Sequence, residues 1–237
     1  MKLERILQTQ GFGSRRECRS LIRAGLVEIG GEVIEDPFFE IEARGLEFVV
    51  DGEVWPWHER VYLMLHKPLD YECSRQPQHH RSIFELLPPQ FALRDVQPVG
   101  RLDVDTTGLL LMSDDGQFIH TWSSGKKRIP KCYEVGLKHP VSEELLGALR
   151  EGVQLHDEPA PIRAHHCEAT GESALDLVVT EGKYHQVRRM IGAAGNRVET
   201  LHRRSVGGLQ LPSDLVAGDW RWMSEADLAA LARFDAS

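Results

Sequence analysis

The sequence predicts an α+β protein in which a small helix-and-hairpin module is followed by a larger domain built on a mixed, mainly antiparallel sheet. Three observations lead there. Helical signals crowd the first 25 residues and end in a glycine-paired hairpin. The segment Trp55-Pro56-Trp57-His58 then separates that module from a new apolar strand, Val61 to Leu65, which sets a boundary near residue 59 and domains at 1–58 and 61–237. Beyond the boundary, strand and turn signals outnumber helices, and the helices are too few for a doubly wound parallel sheet.

In the first module, Leu3 to Gln8 reads as a short helix broken by Gly11-Phe12-Gly13. Ser14 and Glu17 then supply the S-x-x-E pattern in which each side chain caps the other's backbone N–H. On the helix they start, Arg15, Arg19 and Arg23 recur at i, i+4 and i+8 with Arg16 beside them, while Cys18, Leu21 and Ile22 fall on another face. Gly25 ends it, and Leu26 to Ile29, Gly30-Gly31 and Glu32 to Ile34 read as a β-hairpin.

In the larger domain, the strand Val61–Leu65 runs into His66-Lys67-Pro68, and Leu109 to Met112 is a second buried strand closed by Asp114-Asp115-Gly116. Lys131 to Leu137 resumes the strand pattern, and Ser142 caps a helix that Gly152 stops. Ala174 to Thr180 is a further strand. Val187, Met190, Ile191 and Ala194 share one face of a helix from which Arg188 and Arg189 project. Asn196 to Leu201, Ser205 to Leu211 and Trp220 to Trp222 add strands, and Ser224 with Asp227 caps a last helix.

The formal net charge of −8 is unfavourable for holding a polyphosphate, but its distribution is uneven. Residues 1–25 carry an excess of +4, residues 26–60 hold ten acids against Arg44 and Arg60, and basic residues gather again at 126–131 and 183–204. Such clustering is the footprint of a nucleic-acid surface. Cys18, Cys73, Cys132 and Cys167 form no CxxC pair, so neither a zinc site nor a disulfide framework is expected. His79-His80 and His165-His166-Cys167 are poor metal sites, since adjacent strand residues point to opposite faces. With no apolar run of the roughly 18 residues that span a bilayer and no apolar stretch after Met1-Lys2-Leu3-Glu4-Arg5, a soluble cytoplasmic protein is expected.

The chemistry concentrates in Gly100-Arg101-Leu102-Asp103-Val104-Asp105-Thr106-Thr107-Gly108, a charged loop on the rigid stem Leu109–Met112. Three signatures compete for it. Asp103-x-Asp105-x-Thr107 has the spacing of a haloacid-dehalogenase-type, Mg²⁺-dependent phosphotransferase loop, but a buried strand should precede that loop, and Gln97-Pro98-Val99 does not read as one. Asp103, Asp105, Thr107, Gly108 and Asp114 fit a calcium loop loosely, but such a loop needs a helix on each side. The third fits best: Gly-Arg-Leu-Asp-x-Asp-Thr-x-Gly-Leu-Leu-Leu closely resembles the catalytic motif of the ribosomal RNA pseudouridine synthases of the RsuA group. A second string, Gly182-x-Tyr184-His185-Gln186-Val187-Arg188-Arg189-Met190, also resembles that family. The similarity extends to the Lys67-Pro68 pair, although His66 stands where Asn is common, and to the Lys131-x-Tyr133 element.

The resemblance implies an N-terminal αL RNA-binding module, a pseudouridine synthase domain, and isomerisation of a ribosomal uridine. Asp103 would be the catalytic carboxylate, Tyr133 would stack on the target base, and Arg101 would fill the space that a flipped nucleotide vacates. A guanidinium offsets the desolvation of a carboxylate that must stay ionised, and Arg188 is expected to be that partner of Asp103. Asp105 is assigned only to loop shape. Arg15, Arg16, Arg19 and Arg23 become candidate phosphate contacts, joined by Lys126, Lys127, Lys183 and Arg189. No metal, nucleotide or redox cofactor is expected, and the chain offers no glycine loop to hold one. The implied partner is ribosomal RNA, acted on by a monomer away from membranes. The segments 111–117 and 152–158 look more like the 16S-directed members of the group, which implies uridine 516 of 16S rRNA in a partly assembled small subunit, while Gly125 to Arg128 resembles some 23S-directed members.

Overall fold

The computed structural model describes residues 1–234. The chain forms two compact units, residues 1–61 with 87–97, and residues 62–86 with 98 onward. In the first, α1 (Leu3–Thr9) and α2 (Arg15–Arg23) precede a four-stranded antiparallel sheet of order β2-β1-β3-β4. Its strands are β1 (Val27–Ile29), β2 (Glu32–Val33), β3 (Glu47–Val50) and β4 (Glu53–Pro56). The expected capping box forms: Ser14 N–H donates to Glu17 Oε2 at 2.7 Å and the Glu17 N–H to Ser14 Oγ at 3.4 Å. Gly30 and Gly31 turn the hairpin at φ of 60° and 83°, the left-handed pair that a tight turn between twisted strands requires.

The segment 87–97 belongs to this unit although the sequence reading leaves it with the larger domain. It holds a short helix, α3 (Pro89–Leu93), started by a proline at the position where a missing N–H costs nothing. Phe91 is fully buried with its ring 5.4 Å from that of Trp55. Arg94 donates to Gln10 Oε1 and to the carbonyls of His58 and Glu59. Five residues with no amphipathic repeat leave no periodic signal, so this helix is visible only through its tertiary contacts.

The second unit contains strands β5 (Tyr62–Lys67), β6 (Tyr71–Glu72), β7 (Arg81–Ser82), β8 (Gln97–Pro98, where the chain re-enters this unit), β9 (Thr107–Ser113), β10 (Lys131–Leu137), β11 (His166–Gly171), β12 (Ala174–Val179), β13 (Val198–Val206), β14 (Leu209–Gln210) and β15 (Trp220–Trp222). Its helices are α4 (Gly116–Ser123), α5 (Glu143–Glu151), α6 (Gln186–Ala193) and α7 (Glu225–Leu231). The main sheet runs β11-β12-β10-β13-β9-β5-β15. Along that path every neighbouring pair is antiparallel except β9 with β13, which is parallel. One apolar cluster joins Leu145 and Leu149 of α5 and Met190 and Ile191 of α6 to Leu175, Leu177 and Val135 of the sheet. Another joins Met64, Leu109, Leu111 and Val206 to Leu231 of α7 and, at its edge, Phe118 and Trp122 of α4.

The sequence suggests two strands, 196–201 and 205–211, where the structure has the single strand β13 followed by the short return strand β14. The interruption suggested by His202-Arg203-Arg204 is only apparent. Alternate residues of a strand face opposite sides, so Arg203 is buried while its neighbours stay partly exposed.

The parallel join places Gly108 opposite Arg203. Gly108 sits at φ 111°, and a Cβ there would collide with the carbonyl oxygen and nitrogen of Arg203. Positive φ and overpacking each cost about 1–3 kcal/mol. Gly108→Ala is therefore expected to lower unfolding free energy by about 3 kcal/mol or more, read from denaturant titration of the full chain.

Candidate active site

The site begins with a buried lysine. Lys67 ends β5, is fully buried, and donates from Nζ to the carbonyls of Pro68 at 3.0 Å, Val104 at 3.3 Å and Thr106 at 2.9 Å. Burial pulls its pKa down, opposed by the nearby acidic groups of Cys73, Asp103, Asp105 and Asp70. The loop it grips closes on itself through the Thr106 N–H, which donates to Asp103 O at 3.0 Å. Upstream, the Cys73 thiol donates to Leu102 O at 3.4 Å and accepts from the Leu102 N–H at 3.5 Å. Asp103 therefore projects from backbone pinned on both sides.

Asp103 meets His185, whose Nε2 lies 3.3 Å from its Oδ1. His185 is the N-cap of α6 and holds φ 45°, a left-handed conformation that non-glycine residues adopt at some cost, and the exposed Tyr184 ring stacks on it at 3.9 Å. Arg188 goes elsewhere than expected. Its Nη2 binds Asp105 Oδ2 at 3.0 Å and the Asp105 carbonyl at 3.1 Å, and its Nε is buried without a hydrogen-bond partner among the described residues. Arg188 lies one turn inside α6 and His185 at its start, so the helix sets the histidine against the first carboxylate and the arginine against the second. Asp105 thus does more than shape the loop, because it ties the loop to α6.

Asp103, Tyr184, His185 and Arg188 line a cavity of about 290 Å³, whose wall also includes Arg101, Thr106, Lys131, Tyr133, Lys183 and Arg203. The volume lies at the low end for ligand pockets. Tyr133 and Lys131 are two apart on β10 and so share a sheet face, and Arg203 is the cross-strand partner of Tyr133. Lys131 is buried, donates to Ile129 O at 3.1 Å and Glu181 O at 3.4 Å, and has its pKa lowered to about 8 by burial and then by the Arg203 charge. Arg203 is 3% exposed and donates from Nε to Leu109 O at 2.8 Å. Thr106 is equally buried, and its hydroxyl has no hydrogen-bond partner among the described residues.

Of the residues the sequence singles out, Asp103, Tyr133, Arg188, Arg101 and Lys183 converge on the cavity. Two expected RNA contacts are already paired: Lys183 with Glu158, and Arg189 with Asp157. Lys126 and Lys127 are exposed in a single 3₁₀ turn and do not line the cavity. In the first unit the arginine row is not uniformly free. Arg15 donates to Gln8 Oε1 at 3.2 Å and Arg19 pairs with Glu4, whereas Arg16 and Arg23 are exposed. Sequence reasoning assigned no role to Lys67, Thr106, Lys131, His185 or Arg203. The only signal for Lys131 and His185 was that they stand inside recognised strings, and Arg203 lay in what was read as a connection.

The RNA pseudouridylate synthase family model matches residues 61–193, more than half of the chain and the whole span from β5 to α6. The chain belongs to that family. The loop that carries Asp103 and Asp105 falls within the matched span, and it follows neither a long buried strand, as a phosphotransferase loop would, nor a helix, as a calcium loop would. The S4 domain model matches residues 1–45 of this pseudouridine synthase. It is 36% identical to an uncharacterised RNA pseudouridine synthase of Bacillus subtilis, with 98% of each chain covered, and 34% identical to ribosomal small subunit pseudouridine synthase A of Escherichia coli, with 98% and 100% covered. A crystal structure of a pseudouridylate synthase superposes with a TM-score of 0.69 at 32% identity, covering 98% of this chain and 100% of that one. The protein is accordingly an isomerase acting on RNA, an S4 domain followed by an α+β synthase domain.

The buried Lys131 gives a pH signature. Its folded-state pKa of about 8 lies below the unfolded value of 10.5, so between those limits the unfolded chain binds the additional proton and Lys131 contributes increasing stability as pH rises. Across that window the unfolding free energy of the native protein is expected to gain about 3 kcal/mol relative to Lys131→Met, measured by denaturant titration of both at each pH. A pH-independent difference between them would count against a perturbed lysine.

Proposed function

We propose that this pseudouridine synthase converts one uridine of 16S rRNA, uridine 516, to pseudouridine, with Asp103 as the catalytic carboxylate. The observation that carries the site assignment is the convergence, in a base-sized cavity, of a backbone-pinned carboxylate with the aromatic ring of Tyr133 on β10. A stacked base is out of reach of such a cavity, so the nucleotide flips in, and Arg101, exposed beside Asp103, fills the gap left in the RNA. Tyr133 stacks on the uracil and assists removal of the C5 proton at the end. Asp103 attacks the sugar or the ring, or removes a sugar proton; in each case it acts ionised, with His185 beside it and Arg188 holding the loop through Asp105.

Full-length similarity to the small-subunit enzyme of Escherichia coli supports 16S rRNA, as do the segments 111–117 and 152–158. The pocket sees only uracil, so target choice lies with the S4 domain and the surface loops that grip folded RNA. There the exposed Arg16 and Arg23 are the freest phosphate contacts, while Arg15 and Arg19 must trade Gln8 and Glu4 for RNA. Acting as a monomer in the cytoplasm, the enzyme meets its site in a partly assembled small subunit.

Asp103→Asn is expected to abolish isomerisation, by at least about 10³-fold, while leaving RNA affinity in place, because no phosphate-contacting charge is lost. Tritium release from C5-labelled rRNA beside a filter-binding assay measures both, and retained turnover would remove Asp103 from its role. A strain lacking the gene is expected to lose one pseudouridine from 16S rRNA with 23S unchanged. Loss of a 23S site with 16S intact would instead establish the alternative, a 23S-directed enzyme of the same family.

A further inference from the structure

We propose that Lys131 and Arg203 are substrate contacts that hold the carbonyl oxygens of the uracil and stabilise the negative charge the ring acquires during isomerisation. The proposal rests on the reading of the Asp103 cavity as the place of reaction.

Two cations stand side by side in the cavity wall, Arg203 directly across from Tyr133 and Lys131 two residues further along the same sheet face. Both are more than nine-tenths buried, and neither forms an ion pair among the described residues. Like charges in a low-dielectric setting are costly unless an anionic guest opposes them. Their known partners are backbone carbonyls: two for the Lys131 ammonium, which has three N–H donors, and one for the Arg203 Nε. Donors are left over, in the wall of a cavity. The buried Thr106 hydroxyl, also in that wall and without a partner among the described residues, is a further donor held in reserve. None of these groups is needed to carry Asp103, which Lys67 and the loop's own turn already fix.

The reaction supplies the matching charge. When the C1′–N1 bond breaks, its electron pair remains on N1 and spreads to O2 and O4 of the ring. After rotation C5 bonds to C1′, the C5 proton leaves to a base, and N1 takes up a proton, so nothing is gained or lost overall. If Asp103 instead adds to C6 of the ring, O4 alone carries the charge as an enolate, and the Asp103–C6 bond breaks again before the product leaves. Donors aimed at these oxygens bind the transition state more tightly than the ground state, which raises the chemical rate rather than affinity.

The test is single-turnover loss of the target nucleoside, read as C1′–N1 cleavage, in a saturating 16S rRNA fragment carrying uridine or 5-fluorouridine at the target, with native enzyme, Lys131→Met and Lys131→Arg. With fluorine at C5 no C5 proton can leave, so cleavage rather than pseudouridine formation is the readout common to both. Lys131→Met is expected to slow uridine conversion about 10²–10³-fold with RNA affinity unchanged. The loss is expected to be at least about tenfold smaller with 5-fluorouridine, because fluorine itself stabilises charge on the ring, and Lys131→Arg is expected to recover part of the uridine rate. Equal losses on both substrates, the native rate, or weakened binding with a shallower salt dependence, the mark of a phosphate contact, would each overturn the proposal. If Lys131→Met does not fold, the ratio of fluorouridine to uridine rates in Lys131→Arg carries the test: a ratio above that of the native enzyme supports the proposal, and an unchanged one refutes it. Asp103→Asn runs alongside. Its turnover would refute the site itself, whereas an inert Asp103→Asn with a fluorine-insensitive Lys131 variant refutes this proposal alone.

Discussion

The synthase domain depends on an ammonium ion placed where none is easily tolerated. Lys67 is wholly enclosed, and carbonyls from its own neighbour and from the two sides of the Asp103–Thr106 turn replace its water. A charged donor's hydrogen bonds contribute about 1.5–3 kcal/mol each, enough together to offset much of the desolvation, and they act only while the loop keeps one shape. The cost of burial is thereby converted into rigidity. A carboxylate held this way keeps one position, whereas one on a long loop free to adjust would not.

Two acids and two basic groups divide the remaining work. Asp103 and Asp105 are two residues apart on the loop, His185 and Arg188 three apart at the start of α6, and the pairs match one to one. The acidic segment 157–158 similarly occupies Arg189 and Lys183. Partly exposed pairs of this kind contribute at most about 1 kcal/mol, so a phosphate can displace them at little cost. A chain with net charge −8 in this way keeps these basic groups paired with its own acids.

Much of this was legible because it is local. The capping box at Ser14 and Glu17, the Gly30-Gly31 turn and the apolar run Leu109–Met112 each carry their signal within a few residues, and the structure holds all three. Asp103 stood out through a motif and a glycine bracket. What stayed hidden is what depends on partners distant in sequence. Nothing near Lys67 announces that it will meet Val104 and Thr106, and nothing near Arg203 says that a parallel join with Gly108 will turn it into the cavity. The assignment of Arg188 to Asp103 failed for a related reason: charge complementarity picks the kind of partner, but a helix's rise decides which of two carboxylates it reaches.

The chain's path also has a temporal meaning. It leaves the first unit after residue 61 and returns for residues 87–97, where Phe91 and Arg94 complete the packing around Trp55 and Gln10. During synthesis the S4 half therefore waits, its aromatic edge uncovered, until some forty residues beyond its apparent end have emerged, about 2–8 seconds at ordinary elongation rates. Because the first unit is made of two separate stretches of the chain, no single cut in the sequence frees it whole from the second.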